Sequence, residues 1–225
     1  MASTSLKACG SPLIEKQSIE ALIFDIDGTL VILPIDWGRI VDEIRRVSNG
    51  GARTFLGFVA RYFNSDGFWY IHRVLEEEEL RAVEAMEVLD SAPSYIEGVC
   101  GVKRIGFVTM QSRVAAQEIL KRLKLDRCID VLITREDAPT RALQLSIAIN
   151  RLGVEPRKTL FIGDKIADAI AAIINNINAI IVMRNPIDMR ISDTDYLDED
   201  LEVFGIPIAK SLSEAMEIAR KLYNI

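Results

Sequence analysis

The 225-residue chain is 49% hydrophobic and 27% charged, with 27 lysines and arginines against 33 aspartates and glutamates, a formal charge of −6. That length accommodates one ordinary domain with an insertion, or two small domains; the acidic balance argues against general binding to nucleic acid, which needs a basic excess to neutralise phosphates. Cys9, Cys100 and Cys128 are too widely spaced for a C-x-x-C pair, so they read as reduced thiols of a cytoplasmic protein rather than as a disulfide framework or zinc site.

Residues 1–18 are small and polar and read as a loose leader without the apolar stretch of a secretion signal. No apolar run in the chain is long enough to cross a bilayer, so no membrane partner is expected. "IEALIFDID", residues 19–27, is a continuous apolar strand of the kind buried on both faces of a parallel sheet. The interval from Asp27 to Lys103 that follows is far too long for a single crossover. Within it "DWGRIVDEIRRVS", "ARTFLGFVARYFN" and "FWYIHRVLEEEELRAVEAMEVL" read as helices separated by "NGG" and "NSDG". A helical subdomain over residues 33–90 is therefore expected, inserted into a core made of residues 19–32 and 91–225. Phe55, Phe58, Tyr62, Phe63, Phe68 and Trp69 recur near helical spacing and read mostly as the insertion's own core. His72, the sole histidine, reads as a packed or partly exposed residue there, and Glu76 to Glu79 as a solvated helix face.

From Val102 onward strands and helices alternate. Strands are expected at 103–109, 128–134, 158–164, 178–183 and 206–210, and helices at 112–124, 141–153, 167–176 and 211–224. Gly153 suits a helix C-cap, and Ser211 or Ser213 an N-cap. This rhythm predicts βαβ units and an α/β fold with a doubly wound parallel sheet.

In such a sheet, ligands collect outside the carboxyl ends of the strands. There the sequence places Asp25 and Asp27, then Thr109, then Asp164 and, a helical turn later, Asp168, with Arg135 and Arg141 in the loop and helix after the 128–134 strand. Several carboxylates in one cleft repel one another and raise each other's pKa. A hard cation removes the conflict, and all-oxygen donors with open positions suit Mg²⁺. A magnesium ion beside a cationic side chain is a common way to hold a phosphoryl group.

"DIDGTL", Thr109, Arg141 and "GDKIAD", in this order and at successive strand ends, resemble the haloacid dehalogenase-like superfamily, in particular phosphatases of its phosphoglycolate phosphatase-like branch with a helical cap. The resemblance covers the chain from about residue 19. It implies a Rossmann-like core and a Mg²⁺-dependent phosphatase acting on a small phosphorylated metabolite through an aspartyl-phosphate. On this pattern Asp25 is the nucleophile and Asp27 the general acid and base. Gly28 and Thr29 form the turn that leads to the cap. The Thr109 hydroxyl and Met110 N–H bind a phosphoryl oxygen, and Arg141 neutralises charge. Mg²⁺ sits on Asp25, the Asp27 carbonyl and Asp164, with Asp168 binding through water or orienting its neighbours. The third position usually holds lysine, so Arg141 departs from the pattern, and Lys165 is the fallback cation. The helix after Asp164 ends in "NNIN" where glycine is commoner, a position asparagine tolerates.

Arg135 reads as structural or solvated. Trp37 and Arg39, just past the turn, are candidates for substrate contact. A dehalogenase fits less well because Asp27 is present. A phosphomutase shares the same aspartates, and a non-catalytic binding protein retaining the fold is the reading from a different class. A monomer or a homodimer is compatible with the sequence.

Overall fold

The computed structural model describes residues 16–184, 201 and 203–225. Its centre is a six-stranded sheet, all parallel, formed by β2 (Ala21–Phe24), β5 (Arg104–Val108), β6 (Val131–Ile133), β7 (Thr159–Gly163), β8 (Asn178–Val182) and β9 (Ile208–Ala209) in the order β6-β5-β2-β7-β8-β9. The chain moves outward from β2 to β5 and β6, then returns to β7 on the other side of β2. The carboxyl end of β2 is thus the point where the winding reverses, which is where an open α/β sheet forms its crevice. Register carries the consequence further. Phe24 lies opposite Phe107 and Ile162, so Asp25, Thr109 and Asp164 leave the sheet within about one residue of the same level.

Alternate side chains of the strands point to opposite faces, and this divides the core in two. Leu22, Phe24, Phe107, Leu160 and Ile162 face α5 (Arg113–Arg122) and the last helix, α8 (Leu212–Leu222), through Ile119, Leu120, Met216 and Ala219. Ala21, Ile23, Val108, Phe161 and Ile181 face α6 (Arg141–Leu152) and α7 (Ile166–Asn175) through Leu145, Ile149, Ala169 and Ala172. Every residue of β2 is buried, as the unbroken apolar run predicts. Gly153 caps α6 in the left-handed conformation, and Ser211 caps α8 by accepting from the Glu214 N–H.

Past β2 the chain forms a two-stranded antiparallel hairpin, β3 (Val31–Ile32) with β4 (Glu87–Val88). Between these strands lie α1 (Trp37–Val47), α2 (Phe55–Tyr62) and α3 (Asp66–Val83), with side-chain N-caps from Asp36, Thr54 and Ser65. Ile40, Ile44, Phe58, Val59, Phe68, Ile71 and Leu75 give these helices a core of their own.

Several expectations are corrected. The third inserted helix stops at Val83, because pairing of Val88 with Val31 draws the following residues into β4. A short helix, α4 (Ala92–Glu97), follows; six residues are too few to show a period. Gln17–Ser18 are not a loose tail but form β1, paired in parallel with Tyr223–Asn224, the terminal strand β10, which therefore leaves the last helix shorter than expected. Glu79 is not on a solvated face but buried. Cys100 and Cys128 are not free thiols: they form a disulfide, with Cα atoms 5.4 Å apart. They precede the neighbouring parallel strands β5 and β6, a proximity that their separation of 28 residues hides. Cys9 lies outside the described residues, as does most of the leader. Among the described residues no helix is long and apolar enough to cross a membrane.

Candidate active site

Asp25 stands one residue past the end of β2, and its N–H donates to the Ile162 carbonyl at 2.9 Å, so the sheet ladder itself fixes its position. Its carboxylate is buried. Oδ1 accepts from the Ile26 N–H at 2.8 Å, and Oδ2 pairs with Arg141 Nη2 at 2.8 Å. The chain then turns at Gly28, whose φ is +86° and whose hypothetical Cβ would fall 2.0 Å from Asp164 Oδ2. Only glycine lets the "DIDGT" turn approach the loop after β7 so closely. Gly163 plays the matching part on the other side, where a Cβ would meet Asp168 Oδ2 at 2.4 Å. The first glycine lets the two aspartate-bearing loops meet, and the second lets the segment after β7 fold onto its own Asp168.

Asp168 opens α7. Its Oδ2 accepts from the backbone N–H groups of Asp164 and Lys165 at 3.2 and 3.1 Å, and its Oδ1 from Arg141 Nε at 2.8 Å. Arg141 also donates to Gln144 Oε1 at 3.0 Å, so one guanidinium spans Asp25, Asp168 and Gln144. Gln144 in turn donates from Nε2 to the Thr109 carbonyl at 2.8 Å. Gln144, fully buried, thus ties β5's end to the Arg141 fork. The sequence does not single it out, although a glutamine on the apolar face of "RALQLSIAINRL" is the available signal. Thr109 Oγ1 lies 3.2 Å from Gln111 Oε1 and accepts from the Gln111 N–H at 3.2 Å. Gln111 Nε2 is buried without a partner. Asp27 accepts from the Leu33 N–H at 3.1 Å and lines the same cavity as Asp25, Thr109, Met110, Arg141, Lys165 and Asp168.

Burial dominates the electrostatics. It pushes Asp25 up to about 8 against the pull of Arg141, with Asp168 and Asp164 adding repulsion. Asp27 and Asp164 are likewise raised, first by burial. Burial opposes the charge on Lys165, but Asp164 and Asp25 overcome it and hold its pKa above the ordinary value; Nζ lies 2.7 Å from Asp164 Oδ2. Carboxylate oxygens of Asp25, Asp164 and Asp168 lie within 4.8 Å of one another. Those of Asp168 are occupied by N–H donors, whereas Asp164 Oδ1 is buried with no partner at all. A buried, unpaired carboxylate oxygen beside a second carboxylate is what a divalent cation satisfies. The donor set therefore fits Mg²⁺, with Asp164 Oδ1 as the open ligand and the Asp25 carboxylate, held by the Ile26 N–H and Arg141, beside it.

Other candidates fall elsewhere. Arg135 is wholly buried outside this cluster. It pairs with Glu79 and donates to His72 Nδ1 at 3.0 Å, to the His72 carbonyl at 3.2 Å and to the Met110 carbonyl at 3.1 Å. His72 is packed beneath it and shifted below its ordinary pKa by burial and by Arg135. His72, Glu76 and Glu136 also come close enough to suggest a metal. The Arg135 hydrogen bond to Nδ1 leaves the proton of a neutral imidazole on Nε2, where it repels a cation. Arg39 pairs with Glu78 and does not line the cavity, whereas Trp37 does. Arg184, which the sequence does not flag, donates to the Gly28 carbonyl, to the Thr29 carbonyl at 3.1 Å and to Asp90 at 2.5 Å, and so holds the turn after Asp27 from behind.

A carboxylate-lined crevice lies at the switch point of a parallel sheet, with a helical insertion after the first strand of that sheet. A family model for haloacid dehalogenase-like hydrolases matches residues 19–174, and the chain belongs to that family. No curated protein sequence matches the chain. Among solved structures, a haloacid dehalogenase-like phosphatase from Thermococcus onnurineus superposes with a TM-score of 0.62 at 22% identity, covering 92% of this chain and all of that one. A candidate β-phosphoglucomutase from Thermotoga maritima gives 0.59 at 20%, covering 91% and 100%. A candidate phosphoglycolate phosphatase from Lactobacillus plantarum gives 0.53 at 22%, covering 73% and 86%. At such identities these likenesses bear on the fold alone.

Proposed function

We propose that this hydrolase is a Mg²⁺-dependent phosphatase that cleaves a small phosphorylated metabolite through an aspartyl-phosphate. The observation that carries the reading is the convergence of Asp25, Asp168 and Arg141 beside a buried Asp164 oxygen that has no partner. Asp25 attacks phosphorus with one carboxylate oxygen, and the ester oxygen departs. Asp27, which burial biases toward its protonated form, delivers a proton to that leaving oxygen and then takes one from the water that hydrolyses the acyl phosphate. The Thr109 hydroxyl and Met110 N–H hold a phosphoryl oxygen. Arg141 keeps Asp25 oriented and offsets charge on the transferring group, while Asp168 positions Arg141. Mg²⁺, held by Asp25, Asp164 and the Asp27 carbonyl, would neutralise the Asp25 carboxylate and the phosphoryl oxygens. Residues 33–90 serve as the cap over a core of residues 19–32 and 91–225.

The sequence argument for a cytoplasmic setting rests on unpaired cysteines together with the lack of a secretion signal and of a membrane-length apolar run; the Cys100–Cys128 bridge withdraws the first of these supports, since disulfides persist mainly outside reducing compartments or in hyperthermophiles.

The test is release of phosphate from p-nitrophenyl phosphate with and without Mg²⁺. Asp25→Asn should lower turnover by at least ~1,000-fold, as removal of a nucleophile does, with an unchanged circular dichroism spectrum, and EDTA should abolish turnover reversibly. Undiminished activity in the variant overturns the reading.

A further inference from the structure

The cavity above Asp25 encloses about 740 Å³, far more than a phosphoryl group fills and within the range of pockets that bury a whole small ligand. Its floor and its walls differ in kind. The charged lining residues Asp25, Asp27, Arg141, Lys165 and Asp168 are gathered at the floor, and the sixth, Glu79, is neutralised by Arg135. The walls are apolar. On the insertion side stand Trp37 and Leu56, with Phe55 set against Trp37 at 5.7 Å between ring centres. Facing them on α7 are Ile170 and Ile174, one helical turn apart and therefore on a single stripe. Trp37, Leu56, Ile170 and Ile174 remain 41%, 46%, 52% and 66% exposed. Large apolar side chains left in water on facing walls of one cavity, continuous with a charged floor, ask for an apolar occupant.

We infer that the substrate is a phosphate monoester whose alcohol portion is uncharged and apolar, an alkyl or aryl group of several carbons lying between Trp37–Leu56 and Ile170–Ile174. The inference rests on the phosphatase reading and narrows it. A second anionic group, whether a carboxylate or another phosphate, finds no free cation: among the described residues only Arg141 and Lys165 bring positive charge to this cavity, and both are engaged with the aspartates. A polyol would strip water from hydroxyls against walls that return few hydrogen bonds. The unpartnered Gln111 Nε2 beside Thr109 supplies one donor near the phosphoryl end, enough for the ester oxygen or one hydroxyl.

A series of linear alkyl phosphates from ethyl to octyl, whose leaving groups have similar basicity, tests this directly. The ratio kcat/KM should rise about two- to fourfold per methylene, the gain expected from burying each CH₂, until the cavity is full, and hexyl phosphate should exceed glucose 6-phosphate and phosphoglycolate by about 100-fold on the same scale. Leu56→Ser and Ile170→Ser alter exposed side chains, so folding is not at stake, and each should reduce the gain per methylene. A flat dependence on chain length, or a preference for the sugar phosphate or phosphoglycolate, overturns the inference while the phosphatase reading stands. Absence of turnover on every ester, ethyl phosphate included, overturns both.

Discussion

Arg135, buried, and Arg141, partly buried, each sit within a carboxylate-bearing cluster, and their surroundings differ in one respect. Around Arg135 the hydrogen bonding is nearly closed: the guanidinium contacts Glu79, His72 and two backbone carbonyls, while the other oxygen of Glu79 accepts from the Ser112 N–H at 3.0 Å. Around Arg141 it is open. The fork is shared between Asp25 and Asp168, yet Asp164 Oδ1 and Gln111 Nε2 lack partners and Asp25 is pushed up to about 8. The first cluster pins α3 to the ends of β5 and β6 and has no capacity left for a ligand. The second keeps unmet charge in a cavity. Buried polar groups in the same chain thus serve structure when satisfied and mark a site when not.

The largest test of this contrast is pH. In metal-stripped protein the folded pKa of Asp25, about 8, stands above the ordinary value of 3.8. Between those limits the folded state binds more protons than the unfolded one, so the stability linked to Asp25 is complete at low pH and is lost as pH rises through about 8. At roughly 1.4 kcal/mol for each pH unit that separates the two values the loss amounts to several kcal/mol, and urea unfolding across this window should register it. Asp25→Asn should flatten the decline relative to the parent, so that the variant lacking the proposed nucleophile is the more stable protein at pH 8. Parallel curves for the two proteins would dissolve the contrast. The Arg135 cluster should respond in the opposite sense. Arg135→Met leaves Glu79 buried and unpaired, at a cost of ~3–5 kcal/mol, and adding Glu79→Leu should recover most of it. A loss below ~1 kcal/mol in chemical denaturation would show that the cluster relaxes to water.

The same contrast explains how much the sequence conveys. Asp25, Asp27, Thr109 and Asp164 are legible because each lies at or just past the end of an apolar strand, and parallel topology carries strand ends to one edge; Asp168 is legible by its place a helical turn after Asp164 on α7. Arg141 is legible by its place on the following helix. Gln144, Gln111 and Arg184 are not, since their significance lies in which buried atom each meets across the sheet. Glu79 is misread for the same reason: four consecutive glutamates resemble a solvated face until one of them turns beneath the sheet edge to Arg135. The long third helix misleads because periodicity cannot register that Val88 pairs with Val31. Nor can spacing reveal that Cys100 and Cys128 sit at the starts of adjacent strands.

That disulfide offers a control that belongs to neither cluster. It lies at the amino ends of β5 and β6, across the sheet from Asp25. Cys100→Ser removes a cross-link spanning 28 residues, which should lower stability by ~2–4 kcal/mol and leave kcat for an alkyl phosphate unaltered. Calorimetry and a turnover assay on the same sample check both halves. A fall in kcat would mean that strain at the sheet's amino edge reaches the site, and the separation between scaffold and chemistry would be less complete than the geometry indicates.

The smallest effect is the most discriminating. Arg141→Lys keeps the charge next to Asp25 but replaces a planar fork with a single ammonium group, which cannot meet Asp25, Asp168 and Gln144 together. If orientation by the fork matters, kcat/KM should fall about tenfold, equivalent to ~1.4 kcal/mol of transition-state stabilisation, with the melting temperature nearly unchanged because one charge-assisted contact survives. If charge alone matters, activity should persist, since lysine is the usual residue in this position of the sequence pattern. In that event Gln144 loses its assigned link to Arg141, and Gln144→Leu should be no more harmful in the lysine variant than in the parent. A double-mutant cycle on these two residues therefore separates an arginine that positions the phosphoryl site from one that merely neutralises it.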